Sequence, residues 1–160
     1  MPFTPFHLGP ALFIGVAFEK RVNLFSILLG SIIIDIRAAY CLFAGCWPLH
    51  GLLHNFLRAA LIAAIITWLL FSQRARLQKV TDRLRIRQTY SFASLFLGSL
   101  AGTWSHVLLD SLLYTDIRPL WPLTANPLHG MLGTGTVYLI CMLLFLPAAA
   151  ICSTRYWKRG

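Results

Sequence analysis

Five histidines and two intramembrane aspartates carry the chemistry open to this chain. His50 and His54 are four residues apart, and His106 and Asp110 repeat the spacing, so on helices each pair shares one face. Two such faces on neighbouring helices can converge on one ion. Imidazole nitrogen and carboxylate oxygen suit zinc first, then manganese or iron. The four cysteines form no C-x-x-C pair, which argues against a thiolate site. Asp35 and His7 fall at the same depth, so the candidate metal ligands are His7, Asp35, His50, His54, His106 and Asp110. One four-residue histidine spacing arises often by chance; two such pairs with Asp35 and His7 are more specific. Other uses stay open: hydrogen bonds that glue helices together, a proton relay, or an ion pair of Asp35 with Arg37 or Arg58. His129 could equally serve a single hydrogen bond.

Arginines form a second layer. Arg58 continues the His50–His54 stripe by one turn, and Arg118 lies in the run Asp116-Ile117-Arg118-Pro119-Leu120-Trp121-Pro122. A guanidinium beside a metal suits the planar oxygens of phosphate or carboxylate. The candidate catalytic residues are therefore Asp35, as a base for water, with Arg58 and Arg118 for developing negative charge. The bland alternative for Arg37 and Arg58 is snorkelling to the membrane interface. Trp47, Trp104 and Trp121 fit an aromatic belt and receive no catalytic role.

The elements that must position these groups are apolar helices. Apolar residues make up 58% of the chain, charged residues 12%, and the mean hydropathy is +0.69. A soluble domain has about 25% charged residues, so this chain reads as an all-α membrane protein. About 20 helical residues cross a bilayer core of ~30 Å. Four apolar runs meet that length, at about 23–44, 49–71, 90–114 and 131–152. A short membrane-embedded helix at about 10–18 precedes them, with Pro10 suited to its first turn. The whole chain, 1–160, reads as a single integral membrane domain. Small residues at Gly30, Ser31, Gly98, Ser99, Ala101 and Gly102 suit close helix approach.

The net charge is +9, yet six of the 14 basic residues lie between Arg74 and Arg87, and Arg155, Lys158 and Arg159 close the chain. Basic clusters flanking apolar spans follow the positive-inside rule and touch lipid headgroups, which sets nucleic acid aside and makes membrane lipids the partners. The 73–88 loop and the C-terminus are then expected in the cytoplasm. All five histidines fall in the outer half. The opening MPFTPFHLGP lacks a basic n-region and a cleavage site, so the N-terminus is expected to be kept. Cys41 and Cys46 could meet at the outer face, although apolar helical cysteines need no partner.

Several stretches together resemble the predicted membrane-bound metal-dependent hydrolase family, which includes LexA-regulated inner-membrane proteins. They are Met1 to Pro10, Ile34-Asp35-Ile36, Leu49-His50 to His54, Trp104-Ser105-His106-Val107-Leu108-Leu109-Asp110-Ser111, and Arg118 to Pro122. The resemblance covers nearly the full chain. It implies a helical inner-membrane protein with a metal held by His7, Asp35, His54, His106 and Asp110, and His50 as a further candidate. The activity it implies is metal-dependent hydrolysis, here of a phosphoester or related bond in a lipid-like substrate entering from the outer leaflet. A non-catalytic metal scaffold or ion carrier is the rival. Two positions depart from the pattern: Arg37 stands where relatives carry an acid, and Asn55 where they carry serine or threonine. Arg37 lies about 200° around a helix from Asp35, so it is expected off the site, and its loss is expected to leave metal content unchanged.

Overall fold

A computed structural model of the protein describes residues 4–51, 53–83, 86 and 88–157. Met1, Pro2 and Phe3 of the opening motif, Leu52 of the expected second span, Arg85 and Arg87 of the basic stretch, and Lys158 and Arg159 of the basic terminus lie outside the described residues. Those described form helices and connections without a strand. The helices are α1 (Thr4–Ala17), α2 (Leu24–Ile33), α3 (Ile36–Ala44), α4 (Phe56–Ser72), α5 (Arg74–Arg83), α6 (Phe92–Leu113), α7 (Thr134–Leu143) and α8 (Phe145–Trp157).

Three segments, Leu24–Ala44, Phe92–Leu113 and Thr134–Arg155, are long and apolar enough to cross a membrane. Phe56–Ser72 joins that set only together with Arg74–Arg83, from which it is bent by 73°. The burial pattern is that of a protein solvated by lipid. On α4 the exposed stripe is apolar (Leu57, Leu61, Ile65, Trp68), whereas Ser26, Ser31, Thr67, Ser99 and Thr103 are buried. In water this arrangement is costly; in hydrocarbon the apolar stripe is at home, and the hydroxyls of Ser26, Ser31, Thr67 and Thr103 donate to carbonyls inside.

Helix starts follow local capping. The side chains of Asn23, Asn55 and Ser91 accept from the backbone N–H of Ser26, Arg58 and Ser94 at 3.0, 2.8 and 3.1 Å. Asn55 thus does the capping that serine or threonine would do. Gly45, at φ 69°, ends α3 in the left-handed region.

Several expected elements are corrected. The first apolar run breaks at Asp35, which stands at the start of α3. The second run becomes helical only at Phe56, so His50 and His54 lie on the preceding connection and share no helix face. Gly51, at φ 27°, interrupts any helix there. The N-terminal helix begins at Thr4, which puts Pro10 in its interior rather than its first turn. The fourth run is divided at Leu144; Pro147 has no N–H to give the Leu143 carbonyl, so the α7 hydrogen-bond ladder cannot run through. Residues 74–83 of the expected basic loop are the helix α5.

α6 packs along α2 and α4. Small residues set its distance from α2. A Cβ on Gly102 would collide with the Ile27 carbonyl, one on Gly98 would lie 2.7 Å from the Asn23 carbonyl oxygen, and one on Gly30 would lie 2.6 Å from the Ser99 carbonyl oxygen. All three contacts are with backbone, which cannot yield. Gly102→Val is expected to destabilise the protein by about 1–3 kcal/mol through overpacking. Thermal unfolding in detergent checks this, with Gly135→Ala, which meets nothing within 4 Å, expected near the parent. Ile34, Ala59 and Val107 form a buried cluster shared by the α2–α3 segment, α4 and α6. At the far end of α1, Arg155 pairs with Glu19 at 2.7 Å and donates to the Val16 carbonyl at 2.6 Å, closing α8 onto α1.

Candidate metal centre

The seam between α2 and α6 brings the first donors together. His106 is one turn beyond Gly102, and the close approach lets its Nδ1–H donate to the Ser31 carbonyl at 2.6 Å. Ser31 also donates from Oγ to the His7 carbonyl at 3.4 Å, tying α1 to the same point. Asp110 follows one turn later on α6. The break at Asp35 and the connection before α4 supply the rest: His54 donates from Nδ1 to the His50 carbonyl at 2.7 Å.

Both rings are therefore fixed the same way. A neutral imidazole with its proton on Nδ1 presents a bare lone pair at Nε2. That of His54 stands 3.4 Å from Asp35 Oδ1 and 3.3 Å from Asp110 Oδ2; that of His106 stands 3.2 and 3.1 Å from the same two oxygens. Neutral rings would set acceptor against acceptor here, which a cation between them or a proton on each Nε2 relieves. Asp35, His54, His106 and Asp110 each offer one donor atom, all within 4.8 Å of one another, and can hold a metal ion.

The fit can be tested against metal geometry. Metal bonds of ~2.0–2.1 Å place adjacent tetrahedral ligand atoms ~3.3 Å apart; the four nitrogen–oxygen distances of 3.1–3.4 Å match four of the six edges, and the other two pairs lie within 4.8 Å. Charge also fits: two carboxylates and two neutral imidazoles sum to −2, which one divalent ion or two protons balance. Burial sharpens the requirement. His54 Nε2, both Asp110 oxygens and His7 Nδ1 are buried with no hydrogen bond among the described residues, and such groups need an explanation. The donor set fits a divalent ion.

The other expected ligands stand around this group. His7 reaches the opposite oxygen of Asp110, Nε2 to Oδ1 at 3.1 Å, and stacks on His106 with ring centroids 4.1 Å apart. His50 turns to Asp116 instead: its Nδ1 is 3.0 Å from Oδ1, its backbone N–H donates to Oδ2 at 3.3 Å, and its ring stacks on Tyr114 at 4.2 Å. Burial, then the neighbouring His54, holds His50 below the usual imidazole pKa despite that carboxylate, so the ring is neutral at pH 7. Sequence reading missed Asp116 as a partner. It lies past the end of α6, where no periodicity applies, and its only signal was membership of the Asp116–Pro122 run.

Among the arginines, Arg58 lies over the Trp121 ring, 4.7 Å from its centroid. Arg118 is exposed on the connection after α6. Arg37 donates to the carbonyls of Pro48 and Leu49. His129 is exposed on its loop. Cys41 and Cys46 are joined in a disulfide. Compared with family models, with curated proteins and with solved structures, the chain gives no match.

Proposed function

We propose that this chain is a membrane-embedded metal-dependent hydrolase acting on a phosphoester or related bond of a lipid-like substrate. The observation that carries the reading is the pair of Nδ1-anchored imidazoles aiming their Nε2 atoms at two carboxylates. His54, His106 and Asp110 would hold the ion, with His7 behind Asp110, and zinc is the first choice for that donor set. Such an ion acidifies water and polarises an ester oxygen. Asp35 is the least enclosed of the four groups: its side chain is 9% exposed, against 0% for the others. It is thus the one suited to leave the ion to solvent or substrate and to accept a proton from water. Arg58 and Arg118 would meet charge on the departing oxygens. The resemblance to the membrane-bound hydrolases supports the same chemistry.

A non-catalytic site is the second reading, and one observation favours it: four protein donors already match the ligand count of structural zinc sites. Metal analysis of detergent-purified protein, with a lipidomic comparison of cells with and without it, tests both. Bound metal without any change in lipid phosphoesters would favour the scaffold; absence of metal would remove both.

We place the protein in the inner membrane with four spans, counting α4, and with the residue 73–88 segment and C-terminus cytoplasmic. Both basic clusters then obey the positive-inside rule, and the Cys41–Cys46 disulfide faces the oxidising side. In a variant lacking native cysteines, single cysteines at Lys79 and His129 should label from opposite sides. Labelling of both from one side overturns this topology.

A further inference from the structure

We propose that Arg37 is a positioning residue for the metal site, fastening the segment that carries His50 and His54 to the helix that begins at Asp35. The inference rests on the metal-site reading.

Three contacts carry it. The Arg37 guanidinium donates from one nitrogen to the Pro48 carbonyl at 2.8 Å and the Leu49 carbonyl at 3.0 Å. Gly51 presses on the same guanidinium so closely that a Cβ there would collide with it. Between these contacts lies His50, whose carbonyl takes the Nδ1–H of His54 at 2.7 Å. The path from Asp35 to His54 therefore runs two residues along α3, through the Arg37 side chain, and along a few residues of connection. The Cys41–Cys46 disulfide closes the far end of α3 onto the same connection, and Asp116 grips His50 from the other side. α3 thus acts as a strut, with Arg37 as the tie across it. Arginine suits the task, because one guanidinium nitrogen serves both carbonyls while the rest of the planar group lies against Gly51.

Charge alone predicts the opposite effect. Arg37 places a cation two residues from a ligand carboxylate, so removing it should tighten the hold on a metal ion. Positioning predicts weaker binding, because His54 loses its fixed place relative to Asp35; groups that orient ligands typically contribute 10–100-fold in affinity. The sign separates the two.

Cobalt(II) serves as the probe, by chelator competition and by its visible d–d spectrum in detergent-purified full-length protein. Arg37→Ala should weaken cobalt binding about tenfold and alter the spectrum, while leaving the thermal midpoint of the metal-free protein near the parent. Arg37→Lys, which keeps the charge and one donor head, should fall between. Arg37→Ala binding as tightly as the parent, or more tightly, overturns the proposal. Should Arg37→Ala not be monodisperse, Arg37→Lys decides: several-fold weaker binding supports the tie, and unchanged binding overturns it. Parent protein whose cobalt binding is absent, or is untouched by His106→Ala, would bring down the metal-site reading and this inference with it. His106-dependent binding that ignores Arg37 brings down this inference alone.

Discussion

His106→Ala is expected to strip most of the bound metal while leaving the protein inserted and folded enough to purify. The ring would supply one donor to an ion and is fixed by the Ser31 carbonyl, whereas the neighbouring His7 ring already faces the other oxygen of Asp110. Insertion is driven by apolar spans, and alanine adds no charge to them. The loss leaves Asp35 facing His54, and Asp110 facing His54 and His7, with two carboxylates in a buried space. His54→Ala should behave alike, because its Nε2 faces both carboxylates too. Metal content per protein, measured by mass spectrometry after detergent purification, reads the effect. A full complement in both variants would show that the ion binds elsewhere or not at all.

Asp35→Asn separates the two functional readings. In the hydrolase, Asp35 is the exchangeable group and the base. Its amide should then keep much of the metal but lower turnover of a lipid phosphoester by about 10²–10⁴-fold, the range for a general base. In a closed structural site, the same change removes one of four ligands, and metal affinity falls with no activity to lose. Asn preserves shape and hydrogen-bonding reach, so a packing defect is not confounded with either outcome. Affinity and turnover measured on one preparation decide between them.

How far the site was legible in the sequence depends on whether a residue sits on a regular element. The His106–Asp110 pair was readable because α6 is one uninterrupted helix, Phe92–Leu113, close to the expected 90–114. The His50–His54 pair was read with the same rule and failed, since Gly51 and the Asn55 cap keep those residues out of α4. His54 still reaches the ion site, but through a loop geometry that spacing does not encode. His50 and Asp116 find each other across 66 residues of sequence, and local periodicity is blind to such contacts. The spacing sets Arg37 off the face of Asp35 and makes its loss silent. Its bonds to Pro48 and Leu49 are the ground for the contrary proposal, because they join segments that only the folded chain brings together. The small residues of the α2–α6 seam announced close packing, but not that the packing sets where His106 stands.

Placing one donor on a connection, while His106 and Asp110 ride on a long helix, separates equilibrium from rate. Helices open rarely, whereas connections open locally at much lower free energy. Release and capture of an ion would then be timed by excursions of residues 45–55 rather than by unfolding of the bundle. Affinity would still be governed by all four donors. Shortening or stiffening that connection should slow exchange in both directions and leave occupancy at saturation where it was. A protein of this build would hold its ion firmly against brief dilution, yet equilibrate with its surroundings without coming apart.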